Sequence, residues 1–290
     1  MITLFSTPKD FKEEFSTIQK NAFSNWRSLS DKMEILIMGS SEGAEKAAKS
    51  IGAKFLGEIP TTSRNTPTIP GLFETAEKFS NNQMLCYLNS DILLPQNFLR
   101  VIKVLNRLEK NFLAIGHRWD LDVDKMIDFN NQSELREFWS FANQNSIQHA
   151  CTGIDYFIFK KRTFKKLPQL VIGRIGWDNW LLWKARRMMI PVIDITYDLQ
   201  VMHQNHSYKF KNYKTQSDTF LSDGAKANVN ITKNKTLNIL DANYQMENGE
   251  IKKKNSKDYF NRNLGKLPTI FYEFSFFLII FKKLYRFFNK

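Results

Sequence analysis

One run of apolar residues limits the folds open to this chain more than any other feature. Residues 84–88 are Met-Leu-Cys-Tyr-Leu, and the run stops on Asn89, Ser90 and Asp91. A strand of this composition is predicted to be covered on both faces, as strands are in parallel sheets flanked by helices. In open α/β sheets ligands bind beyond the carboxyl ends of the strands, so Asp91 stands where a ligand is expected. The alternative is that Asp91 only caps the helix that begins near Pro95.

Strand and helix patterns alternate through the first half of the chain, which predicts an α/β fold with a mostly parallel central sheet. The expected architecture is a Rossmann-like three-layer sandwich, with helices on both faces of the sheet. The predicted strands lie at 2–5, 34–38, 84–88, 112–116, 156–159 and 192–194, and the predicted helices at 10–23, 42–50, 72–79 and 95–110.

The net charge of +13 is concentrated at the carboxyl end of the chain. Residues 251–290 hold ten Lys or Arg and two acidic residues, a net charge of +8, which leaves +5 for the other 250 residues. Those residues show no zinc-finger spacing, RNA-recognition signature or basic stripe, so nucleic acid is not an expected partner. The only cysteines are Cys86, in the predicted buried strand, and Cys151, so no disulfide framework is expected. No apolar signal core precedes the first strand, and a cytoplasmic location is predicted.

A second polar cluster lies among tryptophans. Trp177, Asp178 and Asn179 follow Gly176, and the residues from Trp180 onward continue as a helix. Asp178 is therefore in or just before a first helical turn, where the helix dipole favours the carboxylate and burial against indole rings opposes it. One interpretation is a helix cap. The other is a catalytic base in a pocket with an aromatic wall, because a base needs a partly desolvated site.

Two histidines follow the last strand of the alternating pattern. His203 and His206 are three residues apart and come after an apolar run that ends at Met202. Imidazoles at this spacing can bind a metal ion, but histidine pairs also commonly do no more than satisfy hydrogen bonds. The pair by itself leaves both interpretations open.

Taken in order along the chain, these clusters resemble those of GT-A glycosyltransferases, most closely the family-2-like enzymes of bacteria and their phages. The resemblance covers about residues 1–210. It implies a GT-A catalytic domain with a nucleotide-sugar half at about 1–120 and an acceptor half at about 121–210. The motifs that carry it are Ser6-Thr7-Pro8 and Gly39-Ser40 after the first two strands, Arg64 to Pro67, Asn89-Ser90-Asp91 at the place of the DxD motif, and Gly176 to Asn179 at the place of the acceptor-side xED motif.

The resemblance implies a donor site for a nucleoside diphosphate sugar, with UDP as the expected nucleotide. In the family the last Asp of DxD coordinates a divalent ion on the diphosphate, and a histidine after the last core strand completes the coordination. This assigns Asp91 and His203 to Mn²⁺ or Mg²⁺, with His206 as the substitute. Asn89 departs from the motif, because it replaces the first Asp and removes one negative charge. The implied donor-binding residues are Ser6, Thr7, Gly39, Arg64, Asn65, Thr66, Asn89, Ser90 and Asp91.

The resemblance places the acceptor, a hydroxyl of a glycan or glycolipid, beside Asp178. Asp178 is then the expected base for direct displacement with inversion at the anomeric carbon. If the family's Glu aligns with Asp178, its catalytic Asp aligns with Asn179, which cannot accept a proton; Asp178 is the only carboxylate in the block. The implied acceptor-binding residues are Arg118, Trp119, Asp155, Trp177 and Asn179.

The carboxyl-terminal part divides into a polar extension, residues 211–267, and an aromatic and basic tail, residues 268–290. The extension is expected to form loops and short helices. The tail carries nine aromatic residues between 270 and 288, together with four basic residues, and its uninterrupted apolar run, 276–281, is too short to span a bilayer. A contact with an anionic membrane surface at the inner face of the cell membrane is predicted. The alternative is a last helix packed on the catalytic domain.

Two other functions fit parts of this pattern. A peripheral membrane protein that holds a nucleotide without chemistry would release no UDP from UDP-sugars. A nucleotidyltransferase on a related sheet is less favoured, because the segment Phe5-Ser6-Thr7-Pro8-Lys9 lacks the glycines of a phosphate loop.

Overall fold

The computed structural model describes residues 1–206, 222–233 and 235–288. Residues 207–221, 234 and 289–290, which belong to the predicted catalytic domain, extension and tail, lie outside the described residues. The strands of the described part are β1 (Ile2–Ser6), β2 (Glu34–Met38), β3 (Lys54–Leu56), β4 (Met84–Leu88), β5 (Ile92–Leu93), β6 (Leu113–Ile115), β7 (Arg118–Leu121), β8 (Ile147–Gln148), β9 (Tyr156–Lys160), β10 (Val192–Asp194), β11 (Val201–Gln204), β12 (Tyr244–Glu247) and β13 (Glu250–Lys253). Its helices are α1 (Glu13–Leu29), α2 (Ala44–Ser50), α3 (Ile69–Phe79), α4 (Phe98–Leu105), α5 (Gln132–Asn145), α6 (Trp177–Arg187), α7 (Asp223–Thr232), α8 (Lys257–Ile270) and α9 (Ser275–Phe288).

A nine-stranded sheet forms the centre of the described structure, in the order β13-β12-β10-β6-β9-β4-β1-β2-β3. The pairs β1–β2, β1–β4, β2–β3, β6–β10 and β10–β12 are parallel. Strand β9 runs antiparallel to both of its neighbours, and β12 and β13 form an antiparallel hairpin. The predicted α/β fold with a mostly parallel sheet is confirmed.

Apolar side chains cover both faces of this sheet, as the composition of β4 requires. One cluster packs Phe23 and Trp26 of α1 against one face, and a second packs Leu72 of α3 and Trp180 of α6 against the other. Strands β1 and β4 are buried at every position. The helices therefore form the outer two layers of a three-layer sandwich.

Helix α1 begins and ends later than predicted, at Glu13 and Leu29 instead of 10 and 23. Its buried face carries three amides as well as apolar groups, so the apolar periodicity alone could not define its length. Asn25 donates to the Leu94 carbonyl at 3.1 Å and accepts from the Leu94 N–H at 2.7 Å. Gln19 accepts from Ser90 Oγ at 2.9 Å. These bonds attach the helix to the chain on either side of β5.

A second, four-stranded sheet lies beside the first, in the order β5-β11-β7-β8. Strand β11 pairs antiparallel with β5, which places His203 opposite Ile92, and parallel with β7, which places His203 opposite Asp120. This small sheet brings the segment after β4 next to the two histidines of the sequence.

The polar extension contributes strands that the sequence did not predict. Within the described residues, β12 pairs with β10 and β13 completes the hairpin at the edge of the central sheet. Both are mostly polar and only partly buried, so they lack the apolar pattern of the central strands. The expectation of loops and short helices missed them for this reason.

Helix α8 spans the end of the extension and the start of the tail, a short 3-10 turn, Tyr272–Phe274, follows it, and α9 forms the rest of the described tail. Among the described residues no single helix has the length and apolar content to cross a membrane. The α8 and α9 segments, bent by 94° at their junction, pass that test only as a pair.

Candidate active site

A cavity of about 730 Å³ opens at the carboxyl ends of β1, β2 and β4. This edge of a parallel sheet is where ligands bind in open α/β folds. The walls come from the strand-end loops, from the irregular segments around 57–67 and 172–174, and from the small sheet. The residues that line the cavity include Thr7, Lys9, Gly39, Asn65, Thr66, Tyr87, Asn89, Ser90, Asp91, Arg118, Asp155, Arg174, His203 and His206.

Asp91, His203 and His206 form a cluster in this cavity, with one potential ligand atom from each lying within 4.8 Å of the others. His206 Nε2 is 3.3 Å from Asp91 Oδ2, and His203 Nε2 is 3.7 Å from the same oxygen. Gln204, the residue after His203, donates its backbone N–H to the Asp91 carbonyl at 3.1 Å. The pairing of β5 with β11 therefore assembles the cluster from parts of the chain more than 100 residues apart.

The potential ligand atoms of this cluster suit a divalent cation. Asp91 Oδ1 is buried and has no hydrogen-bond partner among the described residues, although buried carboxylate oxygens are nearly always paired. Two imidazoles and one carboxylate form a mixed nitrogen and oxygen set, which suits Mn²⁺ better than Mg²⁺, an ion that prefers oxygen ligands. His206, the substitute ligand of the sequence-based assignment, lies as close to Asp91 as His203 does.

Charges around the cluster keep Asp91 ionised. Burial acts to raise the pKa of Asp91, but His203, His206 and Lys9 together lower it well below its usual range. Burial acts to lower the pKa of His203, but Asp91 and Asp120 raise it. The cluster thus holds an anionic carboxylate beside imidazoles that a bound cation would require in their neutral form.

Asp120 is a site residue that the sequence analysis did not identify. Its Oδ1 lies 3.1 Å from His203 Nδ1 and its Oδ2 lies 2.6 Å from His149 Nδ1. A carboxylate behind a ligating imidazole fixes the orientation and tautomer of the ring. Strand alternation could have identified Asp120 from the sequence. Arg118 and Asp120 are two residues apart in β7 and so share one face of the small sheet.

The Asn89 side chain forms hydrogen bonds with two neighbouring side chains. Its side-chain amide donates to Asp155 Oδ1, and its Oδ1 accepts from the Tyr87 hydroxyl at 2.7 Å. Asp155 Oδ2 in turn binds Arg118 Nη1 at 2.6 Å. An aspartate at position 89 would face the Asp155 carboxylate, so the amide that departs from the DxD motif suits its surroundings here.

The residues assigned to the donor divide into two groups. Thr7, Gly39, Asn65, Thr66, Asn89, Ser90 and Asp91 line the cavity, as do Lys9 and Arg174, two cationic residues that the sequence analysis did not select. Ser6 and Arg64 do not line it. The Ser6 side chain is fully buried, and Arg64 forms an exposed ion pair with Asp223.

Gly39 lies at a close approach between two cavity loops. Its φ of +100° is a left-handed conformation, and a Cβ placed there would lie 3.1 Å from Thr7 Oγ1. A side chain at this position would therefore strain the backbone and crowd the Thr7 hydroxyl.

The residues assigned to the acceptor are less uniform in position. Arg118 and Asp155 line the cavity but pair with each other. Trp177 is only 6% exposed and packs on Tyr87 and Phe157, with ring centroids 5.4 and 5.1 Å apart. This packing makes Trp177 part of the core. Trp119 lies in β7, paired with Gln148 of β8, and the Asn179 amide points to the Thr152 carbonyl at 3.4 Å.

Asp178 lies in the first turn of α6, after Gly176 in a left-handed conformation. Burial, together with the nearby Asp155 carboxylate, raises the pKa of Asp178 to about 7, against hydrogen bonds from backbone N–H groups that lower it. Asp178 does not itself line the cavity. Asp155 does line the cavity, and Asp178 is close enough to it for the two carboxylates to repel each other.

No protein-family model matches the chain, and no curated protein matches it. Among solved structures, glucosyl-3-phosphoglycerate synthase of Mycobacterium tuberculosis is 13% identical and matches over 80% of both chains, with a TM-score of 0.50. A complex of that synthase with Mn²⁺ and UDP-glucose is 14% identical over 80% of this chain and 78% of that one, with a TM-score of 0.48. A structure of TarS residues 1–349 from Staphylococcus aureus matches 42% of this chain and 36% of that one at 9% identity, with a TM-score of 0.33. The first likeness shows the fold: the chain has the GT-A fold that the sequence predicted.

Replacing Asp120 tests whether the cluster binds a cation through an oriented His203. We expect Asp120→Asn to weaken Mn²⁺ binding by about 10–100-fold, the usual cost of losing a partner behind a ligand. Calorimetric titration with MnCl₂, without nucleotide, measures this. Asp124→Asn, which changes an exposed carboxylate on the same segment, is the control and should bind Mn²⁺ like the wild type. Equal affinity in the Asp120 and Asp124 variants would contradict the assignment.

Proposed function

We propose that the chain is a metal-dependent glycosyltransferase that moves a sugar from a nucleoside diphosphate sugar, expected to be a UDP-sugar, to a hydroxyl of a glycan or glycolipid. The observation that carries the proposal is the Asp91, His203 and His206 cluster inside the strand-end cavity of a GT-A fold. The synthase of the same fold is named for a glucosyl product, which supports sugar transfer as the reaction class.

The donor half of the cavity suits a diphosphate. Lys9 and Arg174 add positive charge to the wall, and the Thr7 hydroxyl can donate a hydrogen bond. Asp91, His203 and His206 would hold Mn²⁺ or Mg²⁺, which supplies charge neutralisation for the departing nucleoside diphosphate. Asp120 would keep the His203 ring in place for that role.

Asp178 is the base in this proposal. The acceptor hydroxyl gives its proton to the Asp178 carboxylate as its oxygen bonds to the anomeric carbon. The bond from that carbon to the diphosphate oxygen breaks on the opposite side, so the configuration inverts. A pKa raised to about 7 by burial and by Asp155 suits a base that works near neutral pH.

Substitution of Asp178 separates chemistry from binding. We expect Asp178→Asn to lower kcat by about 10²–10⁴-fold, the range for loss of a general base, while UDP affinity stays unchanged. UDP release from UDP-sugars in the presence of Mn²⁺ gives the rate, and calorimetry gives the affinity. Asp258→Asn, which changes an exposed Asp in the first turn of α8, is the matched control. Full activity in the Asp178 variant would remove it as the base, and UDP binding without any UDP release by the wild type would favour the non-catalytic nucleotide-binding protein.

The pH dependence of kcat/KM provides a second test of Asp178. Because the pKa of Asp178 is raised to about 7, the group is mostly protonated below that pH and cannot accept the acceptor's proton. The rate should therefore rise with pH through a midpoint near neutrality and fall off on the acidic side. A rate that stays constant as the pH is lowered through the neutral range would contradict a base with this pKa.

We also propose that the tail attaches the enzyme to an anionic membrane surface, next to a lipid-linked or surface-glycan acceptor. Phe276 and Phe277 of α9 are 69% and 70% exposed, and Ile279, Ile280, Phe281 and Leu284 are 42–55% exposed. Lys282 and Lys283 lie on the same helix. Exposed aromatic side chains with adjacent lysines are the composition of helices that lie in a membrane interface.

Helix α8, which precedes the exposed residues of α9, packs on the rest of the described structure. Ile270 is fully buried, Trp183 of α6 donates to the Thr269 carbonyl at 2.8 Å, and Arg262 pairs with the buried Asp241 at 2.7 Å. Phe276 and Phe277 of α9 remain largely exposed beyond these contacts. The arrangement supports a surface presented to a partner over a last helix packed on the core.

Vesicle sedimentation tests the membrane proposal. We expect the protein to sediment with vesicles of phosphatidylcholine and phosphatidylglycerol, and less with phosphatidylcholine alone, because lysines attract anionic headgroups. Replacing Phe276 and Phe277 together by Asp should abolish sedimentation. Phe141→Asp, at an exposed aromatic residue on α5, is the control and should leave it unchanged. Equal sedimentation of both variants would contradict the assignment of α9.

A further inference from the structure

A second cavity lies at the end of the small sheet that is remote from the metal cluster. It has a volume of about 650 Å³ and is bounded by residues 95–97, by α5 and by residues 197–200. Asp91 precedes β5 and Pro95 follows it, so about four extended residues, or roughly 13 Å, separate the two sites along the strand. Gln200 immediately precedes β11, three residues before His203. The cavity is therefore separate from the donor site but joined to it by two paired strands.

The wall of this cavity is rich in amides and aromatic rings and nearly neutral in charge. One cation, Arg136, is balanced by one carboxylate, Asp198. Two aromatic rings, Trp139 and Tyr197, contribute flat apolar surfaces, and Tyr197 is 70% exposed. The five amide side chains on the wall are Gln96, Asn97, Gln132, Asn143 and Gln200.

Three polar atoms of the lining residues have no hydrogen-bond partner among the described residues. They are Trp139 Nε1, Asn97 Oδ1 and Asp198 Oδ2, and all three are shielded from bulk solvent. Asp198 is only 7% exposed; its other oxygen accepts from the Gly249 N–H at 3.0 Å. The Asn97 amide donates to the Asp198 carbonyl at 2.8 Å. Unpaired buried polar groups are rare in native proteins, so these three atoms require partners, which ordered water or a bound ligand supplies.

We propose that this second cavity binds a neutral oligosaccharide, a segment of the acceptor glycan away from the hydroxyl that reacts. Amides offer both donors and acceptors, which matches sugar hydroxyls that do the same. The rings of Tyr197 and Trp139 suit the apolar faces of sugar rings, and the balanced charge of Arg136 and Asp198 favours a neutral ligand over a phosphate or a nucleic acid. Naming this glycan as the acceptor rests on the proposed function; the binding of an oligosaccharide here does not.

The test uses the full chain on a microarray of defined neutral and acidic oligosaccharides, in EDTA and without nucleotide. We expect binding to neutral members, and about tenfold weaker binding by Tyr197→Ala and by Trp139→Phe, which keeps an aromatic ring but removes the N–H donor. Phe141→Ala, at an exposed ring on α5 outside the cavity, should bind like the wild type. Asp91→Ala should bind the oligosaccharides like the wild type, because the donor site is separate from this cavity. Loss of sugar transfer and loss of oligosaccharide binding are therefore measured independently.

Three results would overturn the proposal. They are no binding to any neutral oligosaccharide, equal binding by the Tyr197, Trp139 and Phe141 variants, and binding restricted to acidic oligosaccharides. Thermal unfolding of each variant shows whether a loss of binding reflects a loss of structure. If the Trp139 variant is unfolded, binding by the Tyr197 variant alone tests the oligosaccharide site.

Discussion

The Arg118 guanidinium lies between two carboxylates, 2.6 Å from Asp155 and 2.9 Å from Asp120, and the site depends on this arrangement. Arg118 belongs to the small sheet, and Asp155 directly precedes β9 of the central sheet. The side chains of both are almost fully buried, so loss of Arg118 would leave the buried Asp155 carboxylate without its cation, at a cost of about 3–5 kcal/mol. The pair therefore holds the two sheets in a defined relation, and the cavity lies where they meet.

Each functional group is connected to this pair through one or two contacts. Asp120 Oδ1 lies 3.1 Å from His203 Nδ1, and Asp155 accepts from Asn89, two residues before Asp91. Asp155 also raises the pKa of Asp178. One ionic cluster thus links the residues proposed to hold the metal ion and the donor with the residue proposed to act as base. Asn89 departs from the DxD motif for a physical reason, because its side chain binds Tyr87 and Asp155. The proposed metal role then belongs to Asp91 and the two histidines.

The sequence predicted the parts of the structure that follow from burial. Strands β2, β4 and β10 have the predicted bounds, because apolar runs between polar ends are specific for buried strands. It could not predict contacts between distant polar residues. The length of α1 depends on amides that bind Leu94 and Ser90, and Asp120 became a site residue only when β7 paired with β11. The β12–β13 hairpin, polar and at the sheet edge, carries no apolar alternation of its own.

We propose that Asp91, His203 and His206 hold a divalent cation on the diphosphate of the donor. Electron–nuclear double resonance of Mn²⁺ bound to the protein with UDP tests it directly, since it detects the nuclei bonded to the ion. We expect nitrogen couplings from two imidazoles together with phosphorus couplings from UDP, and loss of the nitrogen couplings when both histidines are replaced by alanine. Phosphorus couplings without any histidine nitrogen would contradict it.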